Sequence, residues 1–443
     1  MKSSTSTMQS ESRAISLSLA ALRDLVRRVA MPTLQDIVGA GLCVGCGACE
    51  IVAGSDVVPL QWDEYGSYRP HVLRHLDSAT QSRIRSVCPG LRVQLHREAS
   101  HGNRAKSDVV FGEYYSLVEA HAADSDVRFK GSSGGVLTAL AIHLLETSAA
   151  SAILHVGQSA SHPLRTEARI SRTSGEVLLG SGSRYGPAAP LKGLGQLLDG
   201  GERFAVVGRP CDIAAVRNLA RIDKRIDQQV VAQLSFMCGG QAEMSFFRRL
   251  IDKHDVREEQ VTGFRCRGNG CPGLTVVDTD DGRRLEFTYA EVWGDDIHNW
   301  GQPFRCKICP DSQAEQADLL CFDSEPPEQM GQETEGFNSV ITRTRRGEQL
   351  LQEAEQSHQL IVTRDLRVDG LYEWESHIVR RHAAALARLA GTAVRSGIVP
   401  RVRGYRLLSA ARRAGFRSFE RNARGAWKRA GEARESLPVE LKL

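Results

Sequence analysis

The chain has 443 residues, too many for one hydrophobic core and about right for two or three domains. Its 41% hydrophobic and 25% charged content is ordinary for a soluble globular protein, and no run approaches the roughly 18 apolar residues of a membrane span, which excludes a membrane-spanning class. The net charge of +4 is unevenly placed: Arg401 to Leu443 hold ten Arg and two Lys against four Glu, a surplus of +8, so the remaining 400 residues sum to −4.

The first elements set the cellular context. Ile15, Leu17, Leu19, Leu22, Leu25, Val26 and Val29 form an apolar stripe broken by Arg13, Arg23, Asp24, Arg27 and Arg28. That pattern predicts an amphipathic docking helix or a loose extension over 1–35. The charges argue against a secretory signal. Eleven cysteines then read as metal ligands and reduced thiols rather than disulfides, and the chain as cytoplasmic.

Residues 36–100 form a cysteine module. Cys43, Cys46 and Cys49 follow C-x2-C-x2-C spacing, with Gly45 and Gly47 between them. Two-residue spacers wrap a chain around a cubane iron–sulfur cluster, and the glycines permit the positive φ that such a turn needs. The bland alternatives are a zinc knuckle or three free thiols. The nearby fourth cysteine of a bacterial ferredoxin run is missing. Cys88, in Val-Cys-Pro-Gly, carries the Cys-Pro signature and is the expected closing ligand; its rival reading is a buried thiol before a turn.

Residues 101–112 read as a linker. From Tyr114 strands and helices alternate: strand at 116–121, helix at 135–147, strands at 152–156 and 203–207, helix at 212–221, strand at 230–237, helix at 242–254, strand at 336–342, helix at 347–356 and strand at 360–363. This predicts an α/β or α+β core. Within it, Arg128-Phe-Lys130-Gly-Ser132-Ser133-Gly134-Gly135 precedes an apolar helix. Small residues, serine hydroxyls and helix N–H groups suit a phosphate, whereas a tight turn with an N-cap is the plainer reading. It is neither a Walker loop nor a G-x-G-x-x-G turn.

Further along, Gly182-Ser-Arg184-Tyr185 is a second small-residue loop. Cys211 stands at a strand-to-helix turn, where a helix end favours thiolate. Cys238 ends the next strand, and Cys306 and Cys309 form a C-x-x-C followed by Pro310. Together these four thiols suffice for a second cubane cluster if the fold gathers them; zinc is the rival. Cys321 reads as core. Cys266 and Cys271 are left out of the ligand sets. The basic region 371–443 reads as a helical extension whose charged face is either solvated or in contact with anionic lipid, nucleic acid or an acidic partner.

Taken in order, several motifs resemble the coenzyme F-420 hydrogenase/dehydrogenase beta-subunit family. They are the Cys43/Cys46/Cys49 triplet with distant Cys88-Pro; Gly131-Ser-Ser-Gly-Gly135; Gly182-Ser-Arg-Tyr185; Gly208-x-Pro-Cys211; Cys238-Gly; Arg265-x-Arg-Gly-Asn-Gly-x-Pro-Gly273; and Arg305-Cys-x-x-Cys-Pro-Asp311. Cys271 before Pro272, Arg209 in place of threonine and the missing glycine before Asp323 depart from the pattern.

The resemblance implies an iron–sulfur flavoprotein with one or two 4Fe–4S clusters and FAD. Electrons would pass between a ferredoxin-like donor or partner subunit and a two-electron acceptor, coenzyme F-420 among the acceptors. It implies a ferredoxin-like module at 36–100, an FAD- and second-cluster-binding domain at 113–370 and the basic extension at 371–443. Cluster ligands would be Cys43, Cys46, Cys49 and Cys88, then Cys211, Cys238, Cys306 and Cys309. Lys130, Ser132, Ser133, Gly134 and Gly135 would hold FAD, and Arg184 and Tyr185 would stand near its ring. A general acid would come from Tyr185, His298 or water. The branch it looks most like is linked to polysaccharide operons, so the alternative is an electron-transfer subunit or scaffold of a polysaccharide-assembly complex. No nucleic acid is expected, and the basic tail is a candidate for peripheral membrane contact.

Overall fold

The computed structural model describes residues 31–95, 105–294, 300–324 and 335–435. The stripe at 15–29 and His298 lie outside them.

Seventeen strands occur among the described residues, most of them short. The first five are β1 (Leu60–Trp62), β2 (Tyr68–Pro70), β3 (Arg92–Gln94), β4 (Lys106–Asp108) and β5 (Gly112–Tyr114). Next come β6 (Leu117–Ala122), β7 (Ala152–Gln158), β8 (Thr166–Ser171), β9 (Phe204–Gly208) and β10 (Val230–Phe236). Then β11 (Val261–Arg265), β12 (Thr275–Thr279), β13 (Arg284–Phe287), β14 (Leu319–Asp323), β15 (Asn338–Thr342), β16 (Leu360–Asp365) and β17 (Arg401–Arg403) follow. Eight of them form the central sheet, ordered β16-β6-β15-β14-β10-β9-β7-β8.

The middle of that sheet, β7-β9-β10-β14, is parallel, and both flanks are antiparallel. The parallel strands are mostly apolar because helices cover both faces. Ala205, Val206, Leu234, Leu319 and Leu320 are at most 1% exposed. In such sheets ligands gather at the carboxyl ends of the strands. Here those ends are Gln158, Gly208, Phe236 and Asp323.

The helices that position the site are α1 (Ala48–Ala53), α2 (Ser78–Val87), α3 (Val136–Glu146), α4 (Pro210–Leu219), α5 (Arg345–Gln356), α6 (Ser376–Ser396), α7 (Leu407–Ala414) and α8 (Phe416–Glu435). Pro210 begins α4, where its missing N–H costs nothing, and Asp212 accepts from the Arg209 amide at 2.9 Å. A three-stranded antiparallel sheet, β11-β12-β13, stands apart from the central one. It had no counterpart in the sequence reading.

Two differences from the sequence reading have local causes. Residues 105–114 form a β4–β5 hairpin rather than a plain linker. Asp108 Oδ1 accepts from the amides of Val110 (2.7 Å) and Phe111 (2.8 Å), and that Asx-type turn closes it. The basic extension is not only helical. Its β17 pairs in parallel with β3 of the cysteine module, and Tyr405, 1% exposed, donates to Asp311 Oδ2 at 3.0 Å. Helices α6 and α8 lie against each other so closely that a Cβ on Gly391 would run into the Ala423 carbonyl.

Candidate functional site

Cys43 and Cys46 lie on the loop before α1, and Cys49 is in its first turn. Gly47 caps α1 in the left-handed region at φ 101°, a conformation open to glycine at little cost. Cys88 ends α2, and its carbonyl accepts from Leu91 (3.0 Å) and Arg92 (2.8 Å). These four thiols come within electrostatic reach of one another. Burial drives Cys46 well above the ordinary thiol range, and Asp212, Cys88 and Cys49 add to it. Burial does the same to Cys49, reinforced by Cys43 and Cys88. Burial, then Cys43, pushes Cys88 up to about 12.

The second set gathers in the same way. Cys211 sits in the first turn of α4, and Cys238 follows β10 with its amide on Ser312 O at 2.9 Å. Cys306 and Cys309 flank the end of a single helical turn, Phe304–Lys307. Burial raises Cys211 strongly, with Asp212, Cys238 and Cys309 adding to it. Cys238 is pushed up to about 12 by burial, Cys306 and Cys309. Cys306 is raised by burial and by Cys309.

Cys46, Cys49, Cys88, Cys211, Cys238 and Cys306 are poor thiolates on their own, because their negative charges would lack solvent and face others. A cation or cationic cluster at the centre of each set removes that penalty. Backbone amides already point at the sulfurs: Ala48 at Cys46, Gly90 and Leu91 at Cys88, Gly240 at Cys238. Amides of this kind stabilise cluster-bound thiolates. Among the described residues, no three His, Cys, Asp or Glu side chains are grouped as a site for a single metal ion. Four cysteines in each set is a donor count that a cubane iron–sulfur cluster takes and that zinc takes too.

Two arginines, Arg305 buried and Arg209 partly so, join the sets. Arg305 Nη2 donates to Pro89 O at 3.0 Å, next to Cys88, while Arg305 itself precedes Cys306. Arg209 Nη2 reaches Val44 O (3.4 Å) and Ala188 O (3.2 Å), and Arg209 stands two residues before Cys211. Asp212, fully buried, pairs with Arg209 Nε at 2.8 Å. Asn218 Nδ2, one helical face further along α4, donates to Val87 O (3.3 Å) and Arg92 O (3.1 Å). The helix that starts at Cys211 is thus fastened to the chain that carries Cys88.

A cleft of about 1260 Å³ opens at the carboxyl ends of the parallel strands. Gly131, Ser132, Ser133 and Gly135 line it, as do Arg184 and Tyr185. Gly135 caps α3 at φ 73° without a side-chain cap, and Val136 N donates to Asn338 Oδ1 at 3.2 Å. Ser132 accepts from Ser183 Oγ at 2.8 Å, which ties the two small-residue loops together. Gly134 is packed behind them: a Cβ there would lie 2.7 Å from Asn338 N. Lys130 does not line the cleft; its Nζ pairs with Asp126 at 2.8 Å on the surface.

Arg184 is spent on scaffolding, donating to Phe264 O (2.8 Å) and Gln158 Oε1 (3.2 Å). Tyr185 packs edge-on to Trp293 at 4.4 Å, and burial raises its hydroxyl above the usual range. The polar hub is Arg267, which the sequence reading did not single out. It pairs with Asp323 at 2.9 Å and donates to Tyr185 Oη (3.3 Å), Ser132 O (2.7 Å) and Pro272 O (2.8 Å). Its place inside the Arg265-x-Arg-Gly motif was the available signal. Cys321, Cys266 and Cys271 are at most 2% exposed; Cys266 packs with Phe264 and Trp293.

Residues 117–194 match the N-terminal part, and residues 201–366 the C-terminal part, of the coenzyme F-420 hydrogenase/dehydrogenase beta subunit. Together they cover more than half of the chain. The chain belongs to that family. Among similar proteins, the coenzyme F-420-dependent sulfite reductase of Methanocaldococcus jannaschii is 25% identical over 335 residues, 72% of this chain and 46% of that protein, so the chain spans less than half of that relative. The coenzyme F-420 hydrogenase subunit beta of Methanococcus voltae is 24% identical over 250 residues, 54% of this chain and 80% of that subunit. A chain of the F-420-reducing nickel–iron hydrogenase complex from Methanosarcina barkeri shares the fold, with TM-score 0.52 at 18% identity, covering 67% of this chain and 98% of that one. The polysaccharide-assembly partner expected from the resemblance finds no support among these relatives. No described helix is long and apolar enough to cross a membrane.

Proposed function

We propose that this chain is an iron–sulfur flavoprotein oxidoreductase that passes electrons between a ferredoxin-like donor or partner subunit and a two-electron acceptor. Cys43, Cys46, Cys49 and Cys88 would hold one 4Fe–4S cluster, and Cys211, Cys238, Cys306 and Cys309 a second. The observation that carries this reading is the gathering of eight cysteines, scattered over more than 260 positions, into two adjoining sets of four beside a large cleft. Family membership supports it, since the relatives carry names of redox enzymes.

FAD fits the cleft by the chemistry of its walls. Ser132, Ser133 and Gly135 at the start of α3 would take its phosphates, since a helix N-terminus favours anions. Tyr185, Trp293 and Trp300 offer an aromatic surface for its ring. When bound, the flavin would couple one-electron delivery from the clusters to two-electron chemistry at the acceptor. The chain's own contribution is to hold, orient and exclude water. Arg267 fixes the Tyr185 hydroxyl and Asp323 at the carboxyl end of β14, where an acceptor would enter. Burial raises the Tyr185 hydroxyl above its usual range, so it would stand there as a neutral phenol held by Arg267.

Anaerobic purification with iron, acid-labile sulfide and flavin analysis tests the reading. It expects about eight iron and about eight sulfide per chain with one flavin. Stoichiometric zinc with no sulfide would end it.

A further inference from the structure

The segment after residue 366 lies outside both regions matched to the family. Yet it builds one wall of the cleft. Arg381 and Arg388 on α6 and Arg429 on α8 are half-buried there, next to Lys307, with Arg421 at the exposed rim.

The hydrogen-bond partners of Arg381 and Arg388 are neutral, although Arg381 also faces the Cys238 and Cys306 thiols. Arg388 donates to Asn422 Oδ1 (3.3 Å) and Lys307 O (3.0 Å). Arg381 donates to Gly239 O (2.7 Å) and Cys306 O (2.9 Å). Among the described residues, no carboxylate forms an ion pair with Arg381, Arg388, Arg421 or Arg429, although Glu432 lies near Arg429. The Nε atoms of Arg381 and Arg429 are buried with no hydrogen-bond partner. Burial and the charges of Arg381 and Arg429 push the Arg388 guanidinium down to about 10. Like charges held together out of solvent are costly unless an anion joins them.

The cleft also has room to spare. Small-ligand sites run to about 300–1,000 Å³, and this one, at about 1260 Å³, exceeds that range. Its walls differ in chemistry: serines, glycines and aromatic rings line one part, and arginines outnumber the carboxylates Glu373 and Glu375 on the part built by the segment after residue 366. We infer that the arginine wall is a second binding site, for a compact phosphate-bearing anion, separate from the group held at Ser132–Gly135. Several guanidinium forks facing one space match the several charges of a polyphosphate better than a single carboxylate. This goes beyond the flavin reading and does not require it.

Inorganic tripolyphosphate, titrated calorimetrically into the full-length anaerobically purified protein, is the probe. The expected result is one site per chain that weakens as salt rises. Arg388→Gln with Arg429→Gln should weaken it about tenfold or more, while flavin per chain stays constant. Arg417→Gln with Arg424→Gln, exposed on α8 and away from the cleft, should leave it unchanged. No binding to the wild type, or equal loss in both double variants, overturns the proposal. Loss of flavin from the Arg388/Arg429 variant also overturns it, by assigning the wall to the flavin's own diphosphate. Should that variant not fold, phenylglyoxal modification of the wild type decides. Tripolyphosphate should shield Arg388 and Arg429 but not Arg417 or Arg424, and uniform modification refutes the site.

Discussion

Arg305 and Pro89 are joined by a hydrogen bond of 3.0 Å between Nη2 and the carbonyl, across 216 positions of sequence. Each partner is bonded to a cysteine of a different set, Cys306 and Cys88. Arg305 is 2% exposed, and its charge faces Cys309, Cys211 and Cys306. A buried cation between two anionic sites does two things: it offsets their repulsion and it favours the more negative, reduced state of each. Arg305→Gln should therefore lower the midpoint potentials of the bound clusters, and Arg305→Lys should restore part of the shift. Potentiometric titration followed by electron paramagnetic resonance measures it. Unchanged potentials in a variant with full iron content would refute the role.

The division into two sets makes a stoichiometric prediction. Cys88→Ser should cut iron from about eight to about four per chain and spare the signal of the other cluster; Cys238→Ser should do the reverse. Losing all iron in either variant would mean the sets are not independent. Losing none would remove that cysteine from the ligands.

Much of this site was legible in the sequence because cysteine spacing is local chemistry. Cys43, Cys46 and Cys49 announce themselves, and Cys88-Pro and Cys306-x-x-Cys309 carry their own signatures. Cys211 and Cys238 were legible as strand-end thiols, since apolar strands precede both. The arginines between the sets were not. Arg209 reaches Val44 O across 165 positions and Arg305 reaches Pro89 O across 216, and nothing in their local pattern says so. The same holds for β8, whose Thr166–Ser171 is only partly buried and lacks a clear alternation, and for β13, whose Arg284–Phe287 alternates but over four residues only. The basic extension looked solvated because charge runs usually are. Its apolar positions, among them Ala385, Ala426 and Ala430, are small, and small residues signal close helix packing only once the partner helix is known.

Arg267 should matter more for flavin retention than either residue of the Arg184–Tyr185 pair alone. It holds Asp323, Ser132, Pro272 and Tyr185 in one place. Arg267→Ala leaves Asp323 without its cation and frees the Ser132 loop, a loss of several charge-assisted contacts at roughly 1.5–3 kcal/mol each. Flavin per chain after desalting should fall more than tenfold. Tyr185→Phe removes one weak acceptor and should keep its flavin. Equal retention in both variants would contradict the assignment of Arg267 as the hub.

Gly391 sets the distance between α6 and α8. A Cβ there meets the Ala423 backbone, which cannot swing aside as a side chain would. Gly391→Val should cost roughly 1–3 kcal/mol in chemical unfolding, the usual penalty of overpacking. It should also reduce tripolyphosphate binding, because the arginines that line the cleft come from both helices. A silent substitution would mean the two helices can slide apart freely.

His155 gives the molecule an acid-sensitive point. It lies on β7 at the cleft, 8% exposed, with Nε2 against Ser171 Oγ at 2.7 Å. Burial, helped by the positive charge of Arg169, pushes the imidazole down to about 4 from an ordinary value near 6.5. The folded state thus binds fewer protons than the unfolded state between those two values, and stability must rise with pH across that window. Above pH 6.5 the ring is neutral in both states and contributes no slope. Below it the unfolded chain gains a proton that the folded one refuses, so stability falls towards pH 4 by up to roughly 3 kcal/mol. His155→Gln keeps a polar group near Ser171 without a titrating ring. It should flatten the pH dependence of urea unfolding between pH 4 and 6.5 while leaving the neutral-pH value within about 2 kcal/mol. An unaltered slope in that variant would show that His155 is solvated enough to protonate in the folded state.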